Sequence, residues 1–442
     1  MKIKFGIMIL VLALFLNLNN AMAKIFDAKE FTLNNGLRVI INPNHKAPIV
    51  KQMIWYKTGS IDEVKNKGGL AHLTEHLMFR GTKNISDNKF NETISQYGGT
   101  SNAFTMHDFT SYHQFIDVSK LELAMYMEAD RMNNLDFSKS AFEKEKSIVL
   151  QERLQNTDNN PNQVFLEKLE NIFWQNHKYK NPIIGSIEDI KSLTFDDVMN
   201  FYKKYYSPNN AVLVLSGDID FETGKQLAEK YYGNISSREK VKEIHFKNPS
   251  NEFKSILEME NEQITTSKII KKYLVDSYNT NKENTYILSV LNQILSDGES
   301  SLLNKKFVLE DKSSIAVGSN YTPYKRGKTA LNVYIIPKDN NNTQEISIEL
   351  DDFLKNIDKK ITEDLVKKTK DKIIASLIYT KDNPETSAHQ IGTMASAGMS
   401  LHDIANWDKS IENVSYIDVK KMAKLIFNKQ TKITGIIKPK AK

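Results

Sequence analysis

The chain has no cysteine among its 442 residues. Disulfides, thiolate metal sites and a lipid anchor joined through cysteine are therefore excluded, and stability has to come from core burial. An excess of one charge is also lacking: 60 Lys and Arg against 54 Asp and Glu give a formal net charge of +6. The basic residues are scattered among acidic ones, so no stripe suited to a nucleic-acid backbone is present. Neither a G-x-G-x-x-G pattern nor a phosphate-binding loop occurs. The apolar run Phe5 to Leu16 is too short to span a bilayer comfortably. It follows Met1-Lys-Ile-Lys4 and precedes Ala21-Met-Ala23, and this order reads as an export signal cut after Ala23, with an uncleaved anchor as the alternative. Cutting there removes Lys2 and Lys4 and leaves 58 basic against 54 acidic residues, a charge of +4. The rest, 40% hydrophobic and 26% charged, is ordinary globular composition, long enough for two or three domains with sizeable cores.

What is present centres on Gly69-Leu-Ala-His-Leu-Thr-Glu-His-Leu-Met78, in which His72, Glu75 and His76 spell H-x-x-E-H. At about 100° per residue on a helix, the three fall within about a third of the circumference. Two imidazoles four residues apart on one face can hold one metal ion, and zinc is the usual occupant. Glu75 lies between them in angle, where a general base must stand to deprotonate an activated water. The order is that of the inverted zincins. A surface helix that carries two His and a Glu by chance is the plain alternative. A catalytic zinc also wants a third protein ligand, which this motif does not supply.

Ahead of the motif, Gly36 to Asn42 and Ile49 to Tyr56 are β-rich runs separated by Asn-Pro and His-Lys-Ala-Pro turn signals, and they read as adjacent strands. After it come a helix over Lys89 to Tyr97, ended by Gly98-Gly99, and a strand pair over Ser101 to Thr105 and Thr110 to Ile116. Leu121 to Met132 is helical by periodicity. Ser140-Ala-Phe-Glu143 has the capping-box pattern and predicts a helix from there to about Leu154. On it Glu145 and Glu152 stand seven residues apart, near two full turns, and so share a face. Solvent is the default for a carboxylate on a helix, but a pair aimed at one place suits a metal site short of a ligand. His107 and His113 read as core or surface histidines, and Met394 to Met399 as packing or a loop.

The second half repeats the first. Phe195 to Tyr206 followed by Ala211 to Ser216 is a helix running into an apolar strand, and Tyr416 to Phe427 followed by Lys432 to Ile437 repeats it at a constant offset of 221 residues. A duplicated unit is the simplest account. The polar stretch Ser236 to Phe253 reads as a linker. Further helices are predicted over Glu283 to Leu295 and Thr362 to Tyr379, with a strand over Ala330 to Ile336. Each half mixes strands and helices, an α+β pattern.

Together these residues resemble the M16 peptidase family, the group of pitrilysin, insulin-degrading enzyme and the mitochondrial processing peptidase. That family follows H-x-x-E-H with a distant ligand glutamate that is itself seven residues after another. Here Glu152 follows His76 by 76 residues, and Glu145 precedes Glu152 by seven. Phe79 to Thr82 and Gly98 to Thr105 match as well. The resemblance implies an α+β fold of two homologous domains, each an antiparallel-rich sheet packed with helices. The expected division is a signal peptide over 1–23, a zinc-binding catalytic domain over 24–236, a linker over 237–252 and a second domain without zinc over 253–442. It further implies one zinc ion per chain, ligated by His72, His76 and Glu152, with Glu75 as the catalytic base and Glu145 orienting a ligand. Ser101 to Thr105 resembles the edge strand on which these enzymes lay an extended substrate, with Asn102 and Ala103 touching it. The implied activity is that of an exported zinc metalloendopeptidase, periplasmic or secreted if the source is bacterial, acting on peptides or unfolded segments. A non-catalytic structural or chaperone-like subunit is the alternative.

One departure bears on partners. Active members of the family complete the site with an Arg and a Tyr from a second homologous half-molecule. The best match here, Leu309-Glu-Asp-Lys-Ser-Ser-Ile-Ala-Val317, puts Glu310 and Val317 at those positions. Neither can stabilise an oxyanion. The expected partner is therefore a different M16 subunit that supplies both, forming a heterodimer.

Overall fold

The computed structural model describes residues 26–241, 248–249, 254–428 and 432–440. The expected signal over 1–23 and the larger part of the linker over 237–252 lie outside the described residues. The first sheet contains β1 (Lys29–Thr32), β2 (Arg38–Pro43), β3 (Ile49–Tyr56), β4 (Thr100–Thr105), β5 (Thr110–Asp117) and β6 (Ala211–Gly217), in the order β1-β2-β6-β3-β5-β4. The second contains β7 (Lys254–Asn261), β8 (Lys268–Val275), β9 (Ser314–Tyr321), β10 (Thr329–Pro337) and β11 (Lys432–Pro439), in the order β7-β11-β8-β10-β9. The first half carries, among its helices, α1 (Leu70–Leu77), α2 (Lys139–Arg153), α3 (Pro161–Trp174) and α4 (Phe195–Tyr205); the second carries α5 (Pro384–Ser396) and α6 (Tyr416–Phe427).

The repeat in the sequence is a repeat in topology. β6 runs parallel to β2 and antiparallel to β3, and β11 runs parallel to β7 and antiparallel to β8. The helices ahead of them are capped alike. Thr194 Oγ1 accepts from Asp197 N, and Ser415 Oγ accepts from Asp418 N, again 221 residues apart. This arrangement corrects the expectation that 36–42 and 49–56 form neighbouring strands. β6 is inserted between them, because a strand buried at every residue finds apolar cover on both faces only in mid-sheet. The start of α2 is also corrected. Its cap is Ser138, whose hydroxyl accepts from Ala141 N at 3.1 Å, and Ser140 lies inside the helix.

The halves exchange cover. Along β6, Leu213 and Leu215 face the helices of their own half, while Val212 and Val214 join a cluster with Ala388, Ile391 and Ala395 of α5. Conversely, Phe165, Leu169 and Phe173 of α3 pack on Ile270, Leu274, Ile433 and Ile437 of the second sheet. At both crossings a glycine lets helix and strand approach. A Cβ on Gly392 of α5 would lie 2.0 Å from Trp55 Nε1, and one on Gly435 of β11 would lie 2.7 Å from Phe165 Cζ. No helix among the described residues is long and apolar enough to cross a membrane.

Gly392→Ala therefore sets two effects against each other. Helix propensity favours Ala by about 1 kcal/mol, whereas displacing a fully buried tryptophan costs about 1–3 kcal/mol. A lower urea midpoint for this variant is the expected outcome; a higher one would show that α5 does not seat on Trp55.

Candidate metal centre

Helix α1 is held from outside itself. Gly69, at φ +84°, precedes it, and a Cβ there would lie 2.3 Å from the Ile184 carbonyl, so only glycine lets the helix begin against that loop. Its first free N–H groups go to Glu63, whose carboxylate accepts from Gly69 N at 3.2 Å and Ala71 N at 2.9 Å. Burial pushes the Glu63 pKa well up despite these bonds. The segment is pinned on two more sides. Lys178 Nζ donates to the Ile61 and Glu63 carbonyls at 3.0 and 2.6 Å. Arg326, from the second half, bridges the Asp62 carboxylate at 2.8 and 3.0 Å and donates to the carbonyls of Lys57 and Asp108.

Leu70, Ala71, Leu73 and Leu77 enter the core, which turns His72, Glu75 and His76 to the other side of α1. The two imidazole rings lie 4.8 Å apart. From α2, Glu152 Oε2 stands 3.9 Å from His72 Nε2 and 3.6 Å from His76 Nε2. One ligand atom from each of the three lies within 4.8 Å of the other two, and no other such group of His, Asp or Glu occurs among the described residues. These gaps are wider than hydrogen bonds and close to those between ligands that share one ion.

The donor chemistry fits a zinc ion. His72 Nδ1 is buried without a hydrogen-bond partner, and its Nε2 faces Glu152 at 3.9 Å. Burial, with a contribution from His76, lowers its pKa to about 3, so it stays in the neutral form that ligates. His76 is treated differently. Its Nδ1 is 3.1 Å from Glu145 Oε2, and that carboxylate, 1% exposed, also meets Arg80 Nε at 2.8 Å. Burial disfavours a charge on His76, but the Glu145 bond and the charges of Glu75, Glu145 and Glu152 outweigh it and raise its pKa above 6.5. With Nδ1 committed to Glu145, Nε2 is left facing Glu152.

Glu75 stands beside the three. Its Oε2 accepts from Thr105 Oγ1 at 2.5 Å, and burial raises its pKa against the pull of that bond and of His76. Thr105 ends β4, the edge strand of the first sheet. Ala103 and Thr105 of that strand, with His72, Glu75 and Glu152, line one cleft of about 600 Å³. Asn102 is exposed, and its Oδ1 accepts from Ala103 N at 2.9 Å. His107 lies in the cleft wall, 3.2 Å from the Asn181 carbonyl, with its pKa lowered by burial to about 4. His113, on β5 opposite Asn102, is likewise lowered to about 4 by burial. Neither joins the metal group. Glu310 is exposed, Val317 is half-buried on the edge strand β9, and neither lines the cleft. Two contributors carry no signal in the sequence alone. Glu63 caps a helix from eight residues before Ala71, and Thr105 meets Glu75 only through the fold.

With this geometry in place, the comparisons are specific. Residues 38–187 match the family described as Insulinase (Peptidase family M16), and residues 192–373 match the Peptidase M16 inactive domain. The chain belongs to peptidase family M16. Among M16 relatives, it is 28% identical over 291 residues to the zinc protease PqqE of Helicobacter pylori, a match covering 65% of each chain and so just under two thirds of that relative's length. The crystal structure of a protease from Helicobacter pylori superposes with a TM-score of 0.86 at 24% identity, over 94% of this chain and 100% of that one. The first half of the periplasmic protease PqqL from Escherichia coli superposes with a TM-score of 0.78 at 18% identity, over 94% and 92%. The structural likeness shows the two-domain M16 fold, and the relatives' names make zinc the family's metal.

Two measurements check the centre. Zinc affinity, read by competition with a chromophoric chelator, should fall as the pH drops through the raised pKa of His76, since the protonated ring cannot ligate; His72 should add no second step above about pH 5. Glu145→Gln should weaken zinc binding about 10- to 100-fold by releasing the His76 ring.

Proposed function

We propose that the chain is an exported zinc metalloendopeptidase that hydrolyses peptides or unfolded segments, with Glu75 as general base and a homologous M16 subunit as partner. The observation that carries this reading is the meeting of His72 and His76 with Glu152 while Glu75 is held apart from them by Thr105. A zinc ion held by His72, His76 and Glu152 would supply a Lewis acid and lower the pKa of its water towards about 7. The protein's own part follows from the positions of its side chains. Glu75, with a raised pKa, takes a proton from the attacking water and can return it to the leaving amine. Thr105 Oγ1 fixes one oxygen of that carboxylate, leaving the other to face the reacting groups. Glu145 keeps His76 in one orientation and one tautomer.

The β4 edge beside Glu75 supports an extended substrate, since backbone pairing there would lay a peptide past the metal with little demand on its sequence. Asn102 and Ala103 are the residues proposed to meet it. The partner is proposed because Glu310 and Val317, at the positions expected for Arg and Tyr, lie away from the cleft. A non-catalytic subunit would have no use for a base set beside a complete ligand group. Export rests on the segment over 1–23, and a periplasmic setting agrees with the PqqL likeness.

Glu75→Gln should retain zinc by metal analysis while hydrolysis of a fluorogenic peptide falls about 10²- to 10⁴-fold. Wild-type turnover in that variant would remove Glu75 as the base. The wild-type chain purified alone should bind zinc yet cleave poorly, and a co-purifying homologue should restore turnover; full activity alone would exclude the need for a partner.

A further inference from the structure

The cleft that holds the metal residues is acidic by composition, yet its carboxylates are already engaged. Glu75 and Glu152 belong to the metal and base chemistry. Glu167 is paired with Arg153 through two bonds, at 2.7 and 2.8 Å. Glu170 is taken by Lys272 from the second half and by Trp174 Nε1 at 2.8 Å. Both cations that neutralise these walls, Arg153 and Lys272, lie outside the lining. The histidine in the wall, His107, is kept neutral by burial.

Lys180 is the exception. It lines the same cleft, half-buried, beside Pro182 and Ile184, and its ammonium has no ion pair or side-chain hydrogen bond among the described residues. Every other ionised group of the wall has a partner within the protein or a role at the metal. A substrate carboxylate would pair with this cation by charge without displacing an existing bond. The neighbouring wall is apolar, with Leu166, Ile183 and Ile184. We propose that Lys180 is a specificity residue, which selects peptides carrying an acidic side chain next to an apolar one near the bond to be cut. This rests on the peptidase reading above and adds a substrate class to it.

The test uses binding, so that it does not depend on a partner. The full-length Glu75→Gln chain, loaded with zinc, is titrated by fluorescence anisotropy with labelled extended peptides. These share one apolar side chain and differ in having Glu, Gln or Lys at the positions flanking it. The Glu peptides should bind about fivefold tighter than the Lys peptides at low salt, and the gap should shrink in about 0.5 M salt. Lys180→Glu should reverse the order, and Lys180→Gln should abolish it, with zinc content unchanged in both. Equal binding of all peptides, or an order that survives Lys180→Glu, would overturn the charge selection and leave the peptidase reading standing. No zinc uptake, or no binding of any peptide by the zinc-loaded chain, would overturn both.

Discussion

A carboxylate moved out of water must be paired, and in this protein the pairing of one such group joins two helices into a site. Glu145 is 1% exposed and reaches His76 with one oxygen and Arg80 with the other. An unpaired charge in that position would cost several kcal/mol, so α2 cannot slide or turn relative to α1 without losing both bonds. Because Glu152 lies seven residues further along α2, the register that satisfies Glu145 also sets where Glu152 arrives. The ligand group is thus a consequence of a buried ion pair about two turns from Glu152 along α2. Preorganisation of this kind matters most for a metal site, where an error of an ångström in one ligand changes which ion is held.

This dependence explains why the site was largely legible in the sequence. H-x-x-E-H sets three side chains by helical geometry alone, and a spacing of seven does the same for Glu145 and Glu152. Local periodicities survive folding, so residues bound to a helix face could be named before the fold was known. Thr105 and Glu63 had no such rule to report them, since each meets α1 across a turn whose course depends on the whole sheet. The same division holds for the fold. Strands and helices followed from composition and period, whereas the insertion of β6 between β2 and β3 did not. Both candidate neighbours were apolar, and only the need to cover β6 on two faces decides the order. The cap of α2 moved from Ser140 to Ser138 because two serines two residues apart offer the same signal, and Phe142 and Val149 had to face the core.

The exchange of α3 and α5 between the halves changes what a domain means here. Each sheet owes one of its two apolar coverings to a helix that the other half contributes. Arg326 extends this coupling to the site itself. It ties the second half to Asp62, next to the Glu63 that caps α1. A first half on its own would keep every ligand in its sequence and yet expose the apolar face of β3 and β6, while the support beneath α1 would lose Arg326 and keep only Lys178.

That coupling gives a physical reason for the silence of the second half as a metal site. The helix that follows β8, over Lys282–Ser296, stands where α1 follows β3, but it contains no histidine and runs for 15 residues with Tyr286, Leu288, Val290 and Leu291 buried. Helix α1 buries Leu70, Ala71, Leu73, Thr74 and Leu77 and gives its other side to His72, Glu75 and His76. Its counterpart is nearly twice as long and buries Ile294 and Leu295 as well. In a duplicated fold whose halves share their cover, one copy can hold a costly group of buried imidazoles and carboxylates as long as the other provides the packing that this group displaces. On this account, adding histidines to the second helix would not recreate the centre. The helix that carries Glu145 and Glu152 and the buried pair that sets its register would also have to be supplied, and they would have to displace the core that now stabilises the first half.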